Sequence, residues 1–181
     1  NDPGVDRRGI AIVAHPHPLH GGSLDNKVVT TIANALLELG YVAVRLNFRG
    51  VGLSEGEYDH GVGEVGDVLA VWRFVAERYP DLPLVLAGFS FGAAVQSQVG
   101  VQAQPKQLLL VGPAVNLFKM GPAPRNTLVI HGELDEVVPL DQVRAWTAQY
   151  EVPLAVVRDA DHFFHKKLSQ LKERILELCP C

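Results

Sequence analysis

Gly88-Phe89-Ser90-Phe91-Gly92 sets a serine between two glycines, after an apolar run (Leu84–Phe89) and before a stretch with helical spacing. A sharp strand-to-helix turn of this kind holds its central serine in a strained backbone conformation and turns the hydroxyl outward. The residues two before and two after must be small, because their side chains would collide across the turn. Gly88 and Gly92 meet that need, and Ala93-Ala94 keep the start of the helix slim. The plain alternative is a glycine-rich turn with an incidental serine. What separates the two is the rest of the chemistry, since a serine hydroxyl is a weak nucleophile that needs a base, and the base needs orienting.

Both partners are available further along. The run Leu128–Ile130 ends in His131-Gly132-Glu133-Leu134-Asp135-Glu136, and Leu154–Val157 ends in Arg158-Asp159-Ala160-Asp161-His162. The order Ser90, Asp135, His162 is nucleophile, acid, base, each just beyond its own apolar run. The chain has 7 histidines. His15, His17 and His20 precede the serine, His60 lies in a polar loop and His131 comes before the acid. His165, one helical turn beyond His162, stays open as the base. Glu133 and Glu136 stay open as the acid, and Asp159 and Asp161 read as loop caps.

Acyl transfer builds negative charge on a carbonyl oxygen, and each preorganised N–H donor lowers the barrier by about 3 kcal/mol. One donor is expected at Phe91, just after the serine and at a helix N-terminus. The second is expected from the loop after the first strand, His15-Pro16-His17-Pro18-Leu19-His20. Pro16 and Pro18 carry no N–H, which leaves His17, with Leu19 behind it. A metal site made by His15, His17 and His20 is disfavoured, because the prolines restrict convergence and no carboxylate or cysteine lies nearby. A fourth loop, Asn47 to Ser54, should border the site, with Arg49 anchoring it to a carboxylate.

The elements that must position these residues alternate along the chain. Continuous apolar runs at Ile10–Ala14, Val42–Phe48, Leu84–Phe89, Leu108–Val111, Leu128–Ile130 and Leu154–Val157 read as strands covered on both faces. Between them, Val28, Ile32, Leu36 and Leu39 form a helical stripe ended by Gly40. Further stripes run from Val65 to Tyr79, from Phe91 towards Gln102, through Val143, Trp146 and Tyr150, and from Leu168 to Leu178. Strand–helix alternation predicts an α/β domain over residues 1–181: a mostly parallel sheet of about six strands with helices on both faces. Ligands of such sheets bind beyond the strands' carboxyl ends.

Taken together, HPHPLHGGSLDNKVV (15–29), NFRGVGLSEGEYDHG (47–61), GFSFGAAV (88–95), HGELDEVVP (131–139) and DADHFFH (159–165) resemble compact, lidless bacterial α/β-hydrolases of serine-esterase type. The resemblance spans nearly the whole chain. It implies carboxylesterase activity on small soluble esters with no cofactor, Ser90, Asp135 and His162 as the triad, and His17 with Phe91 as oxyanion donors. Relatives usually carry an N-terminal β-hairpin before the HPHP strand, whereas only residues 1–8 precede it here. The connection from Val111 to Thr127 is short and proline-rich, where larger hydrolases insert a lid, which predicts an open site. Thioesterase or amidase chemistry on the same triad, or a non-catalytic binder on the same fold, remain the alternatives.

Bulk composition narrows the partners. A net charge of -4, with 48% hydrophobic and 20% charged residues, is ordinary for a globular protein and lacks a basic nucleic-acid footprint. No stretch approaches the ~18 apolar residues of a membrane span, and no signal peptide is visible, although the sequence opens on Asn1. Cys179 and Cys181, both at the extreme C-terminus, read as thiols on a frayed tail and fit a reducing cytoplasm. A small-molecule ester is the expected partner.

Overall fold

The computed structural model describes residues 1–179. Six strands, β1 (Gly9–Ala14), β2 (Tyr41–Arg45), β3 (Leu84–Phe89), β4 (Gln107–Val111), β5 (Thr127–Gly132) and β6 (Leu154–Val157), form one sheet in the order β2-β1-β3-β4-β5-β6. Every pairing is parallel. Five helices accompany it: α1 (Lys27–Glu38), α2 (Val62–Arg78), α3 (Phe91–Ala103), α4 (Leu140–Tyr150) and α5 (Leu168–Leu178).

The sheet is covered on both faces, and the sequence shows why. Along β1 and β3, Ala11, Val13, Val85, Ala87 and Phe89 point to the layer of α1 and α5, against residues such as Ile32, Leu36, Leu171 and Ile175. The alternate residues Ile10, Ile12, Leu84 and Leu86 point to the layer of α2, α3 and α4, against Val68, Val95, Val99 and Val143. Both sets are buried, so the strands read as unbroken apolar runs. The first helix begins where Asn26 accepts hydrogen bonds from the Val28 and Val29 amides at 2.9 and 3.4 Å. It ends at Gly40, whose φ of 89° lets its N–H close on the Leu37 carbonyl.

Sheet order places the site. From β1 the chain crosses through α1 to β2 on one side; β3 then returns to lie on β1's other side. The carboxyl ends of β1 and β3 therefore flank a topological switch point, where open α/β sheets form their binding crevice. β1 feeds the His15–Gly22 loop into it and β3 feeds in Ser90.

Two expectations need correction. The run Val42–Phe48 is not all strand: β2 stops at Arg45. The Asn47 side chain takes the Leu24 amide (2.8 Å), and the Phe48 amide donates to His15 Nε2 (3.0 Å), so both residues serve the crevice instead. Leu46 and Phe48 stay apolar because they are buried off the sheet. Cys179 is not on a frayed tail; it is buried in the α1–α5 layer. Cys181 lies outside the described residues. Residues 1–8 form no strand, although Asn1 exchanges two 2.9 Å hydrogen bonds with Ala43 on the sheet edge. The 112–126 connection is a loop, pinned to α3 where the Gly121 amide donates to Ser97 Oγ (2.8 Å).

Leu86, fully buried at the middle of β3, measures how far the strands carry the fold. Leu86→Ala should lower the unfolding free energy by about 2–5 kcal/mol in urea titration, with the m-value unchanged.

Candidate active site

Ser90 sits between β3 and α3 with φ 55° and ψ -116°, a conformation costly for a residue with a Cβ. The turn is tight enough that a Cβ on Gly88 would run into the Gly92 carbonyl, and one on Gly92 would lie 2.5 Å from the Ala14 and His15 carbonyl oxygens. Both glycines are thus required by close backbone approach. The Ser90 amide is fastened to Val111 O on β4 (3.0 Å), which fixes the turn to the sheet.

The hydroxyl it presents lies 3.0 Å from His162 Nε2, and His162 Nδ1 lies 2.7 Å from Asp135 Oδ2. The three residues come from the ends of β3, β5 and β6 and are each less than a tenth exposed. Asp135 is held in turn: its Oδ1 accepts from the Val137 and Val138 amides at 2.9 and 2.8 Å. The acid loop and the His162 loop are drawn together at Gly132, where a Cβ would lie 2.5 Å from the Ala160 carbonyl oxygen. The Leu134 amide closes the joint by donating to Ala160 O at 2.8 Å. Since Asp135 Oδ2 accepts, His162 Nδ1 carries the proton and Nε2 is free to take one from Ser90.

The competing candidates are placed elsewhere. His165 is exposed and turned onto Asp161, with Nδ1 2.6 Å from Oδ2, while its amide donates to Asp161 Oδ1 at 3.0 Å. Glu133 accepts the Asp159 amide at 3.0 Å, and Glu136 is exposed. Arg49 forks onto Asp67, with its Nη2 at 2.8 Å and its Nε at 3.2 Å, and so anchors its loop.

The two amides expected to face a developing oxyanion, those of His17 and Phe91, donate to nothing among the described residues. Leu19, the other candidate, is already committed: its amide donates to His17 Nδ1 at 3.2 Å. The His17 loop is braced from beneath. His15, fully buried, bonds the Pro16 carbonyl through Nδ1 (2.6 Å) and accepts the Phe48 amide at Nε2. The His17 ring rests against Phe91 (5.2 Å) and Phe118 (5.4 Å), which fastens the loop to α3 and the 112–126 connection. His15 and His17 therefore do separate work.

A cleft of about 390 Å³ opens over Ser90 and His162. Leu117, Phe118, Val137 and Phe163 wall it, and Leu117, Val137 and Phe163 remain substantially exposed at its mouth. Sequence reasoning missed these walls, because isolated apolar residues in polar loops carry no periodic signal. It also set His131 aside for preceding the acid. The structure puts that ring beside Asp135, and the four-residue spacing at a strand end was the available sign.

These geometries fall within a known family. The family described as serine aminopeptidase, S33, matches residues 17–126, more than half of the chain. The chain belongs to this family of α/β hydrolases. An α/β serine hydrolase homologue from Coxiella burnetii superposes with a TM-score of 0.90 at 43% identity, covering 98% of this chain and 88% of that one. A Xanthomonas campestris α/β serine hydrolase without a lid gives a TM-score of 0.90 at 41% identity, covering 97% and 83%. An uncharacterized Rickettsia prowazekii protein is 34% identical over 182 residues, 92% of this chain and 76% of that one. No helix among the described residues is long and apolar enough to cross a membrane.

Burial holds the His15 and His131 imidazoles below the usual 6.5. The unfolded chain therefore binds protons near that pH that the fold does not, and stability falls as the pH drops through this window. Thermal melts should show Tm decreasing from about pH 7.5 to about pH 5.5; a flat or rising Tm would contradict the neutral assignment.

Proposed function

We propose that this α/β hydrolase cleaves small soluble carboxylic esters through an acyl-enzyme on Ser90. The observation that carries this reading is the hydrogen-bonded succession Ser90–His162–Asp135 beneath an open cleft. Ser90 Oγ attacks the ester carbonyl while His162 Nε2 takes its proton, and Asp135 stabilises the imidazolium. The oxygen's charge falls on the Phe91 and His17 amides. As the C–O bond breaks, His162 returns the proton to the departing alkoxide. Water then attacks the acyl-enzyme by the same base, and Ser90 regains its proton as the acid leaves.

The walls argue for an ester over the free amino terminus of a peptide. An aminopeptidase must hold an ammonium group, which needs a carboxylate or a cluster of carbonyls. Among the described residues lining this cleft there is no Asp or Glu. The apolar walls suit an uncharged acyl or alkyl group. A non-catalytic role is disfavoured because the nucleophile, base and acid are all within hydrogen-bond reach.

Ser90→Ala should abolish hydrolysis of p-nitrophenyl butyrate while the fold persists; undiminished turnover would refute the nucleophile. The second oxyanion donor has its own test. His17 has φ -52°, which proline adopts, so His17→Pro deletes the N–H with little change in backbone angle. It should lose about 10²–10³ in kcat relative to His17→Ala, the control for the missing ring. Equal rates in the two variants would exclude that amide.

A further inference from the structure

His131, at the end of β5, is fully buried and pairs in register with Val156 on β6, so its backbone is as rigid as the sheet. Its Nε2 lies 2.9 Å from the Val138 carbonyl oxygen and 3.4 Å from Asp135 Oδ2. Both neighbours are acceptors, so Nε2 carries the proton. Nδ1 has no hydrogen-bond partner. A proton there would be an orphaned buried donor, and the ring is therefore neutral. A bare buried nitrogen is a cost that an apolar side chain would avoid, so the Nε2 side must offset it.

What that side holds is the acid. Val138 is held on both sides of its Cα: its carbonyl by His131 Nε2–H, its N–H by Asp135 Oδ1. Fixing the carbonyl side of this residue restrains the neighbouring N–H, the donor that aims the carboxylate. The same imidazole N–H also faces Oδ2, the oxygen bonded to His162 Nδ1, across 3.4 Å. The titratable groups acting on His131 are Asp135, from its own loop, and His162, from the loop after β6.

We infer that His131 is a positioning residue for the acid–base pair: its Nε2–H clamps the Val138 carbonyl and faces Asp135 Oδ2, holding the carboxylate in line with His162. This rests on the proposed role of Ser90, His162 and Asp135 and adds a fourth side chain to it. The ring does not touch substrate; it acts through Asp135.

The test uses two variants of the full chain that differ in where an amide donor falls. In His131→Gln the amide nitrogen can occupy the place of Nε2; in His131→Asn it reaches only the place of Nδ1. With p-nitrophenyl butyrate, the asparagine variant should lose about ten- to a hundredfold in kcat, the scale of outer-shell partners, with KM little changed. The glutamine variant should recover most of that loss. The His162 Nδ1–H proton resonance should move in the asparagine variant and return towards its wild-type position in the glutamine variant. Equal kcat in the two variants would overturn the inference. So would nitrogen NMR of the wild-type protein showing the His131 proton on Nδ1, a measurement that needs no variant to fold. Ser90→Ala separates the two levels. If it retains activity, the acyl-enzyme reading fails; if it is inactive while glutamine and asparagine behave alike, only the role of His131 falls.

Discussion

Ser90 occupies a backbone conformation that an L-residue adopts only under compulsion, and much of the chain is arranged to compel it. Strand β3 enters the turn buried on both faces, and helix α3 leaves it at once. The Ser90 amide is tied to Val111, and the two backbones close so nearly that positions 88 and 92 admit only hydrogen as a side chain. Strain of this sort costs of order 1–3 kcal/mol and persists only where surrounding structure over-determines it. Here the surroundings are the two central strands of a fully covered sheet.

From that fixed point the chemistry follows from topology. The sheet reverses its order of growth between β1 and β3, so the loop leaving β1 lies over the turn leaving β3. This juxtaposition sets the His17 ring against Phe91 at the start of α3, as the oxyanion role proposed for their amides requires. The β5 and β6 ends, two and three strands away from β3, carry Asp135 and His162 back towards it. Their loops meet through a glycine contact and a backbone hydrogen bond rather than a large interface. Buried imidazoles recur around this centre. His15 braces the His17 loop and His131 faces Asp135, and burial lowers the proton affinity of each ring. Neutral rings can supply donors and acceptors at fixed positions without adding a cation beside His162.

Much of this was legible in the residues, and the reasons are physical. Two-sided burial makes each strand an unbroken apolar run, so five of the six strands could be read nearly to their ends. The steric demand for glycine at 88 and 92 and the order of Ser90, Asp135 and His162 are local facts of the chain. What was illegible depends on contacts between distant segments. Phe48 looks like strand but is buried by the His15 brace. Cys179 looks like tail but is buried in the cluster that residues of α1, α5 and the sheet build from distant parts of the sequence. Glu133, Asp135 and Glu136 are equal as types, and only Asp135 meets His162. Leu19 and His17 are both candidate donors until the imidazole of one engages the amide of the other.

The central claim is that Ser90 is an activated nucleophile. Reaction with a fluorophosphonate, followed by peptide mass spectrometry, measures it without knowledge of the natural substrate. The account predicts one covalent adduct, on Ser90, strongly suppressed in His162→Ala. An unmodified protein, or an adduct on Ser90 that forms equally fast without His162, would contradict it.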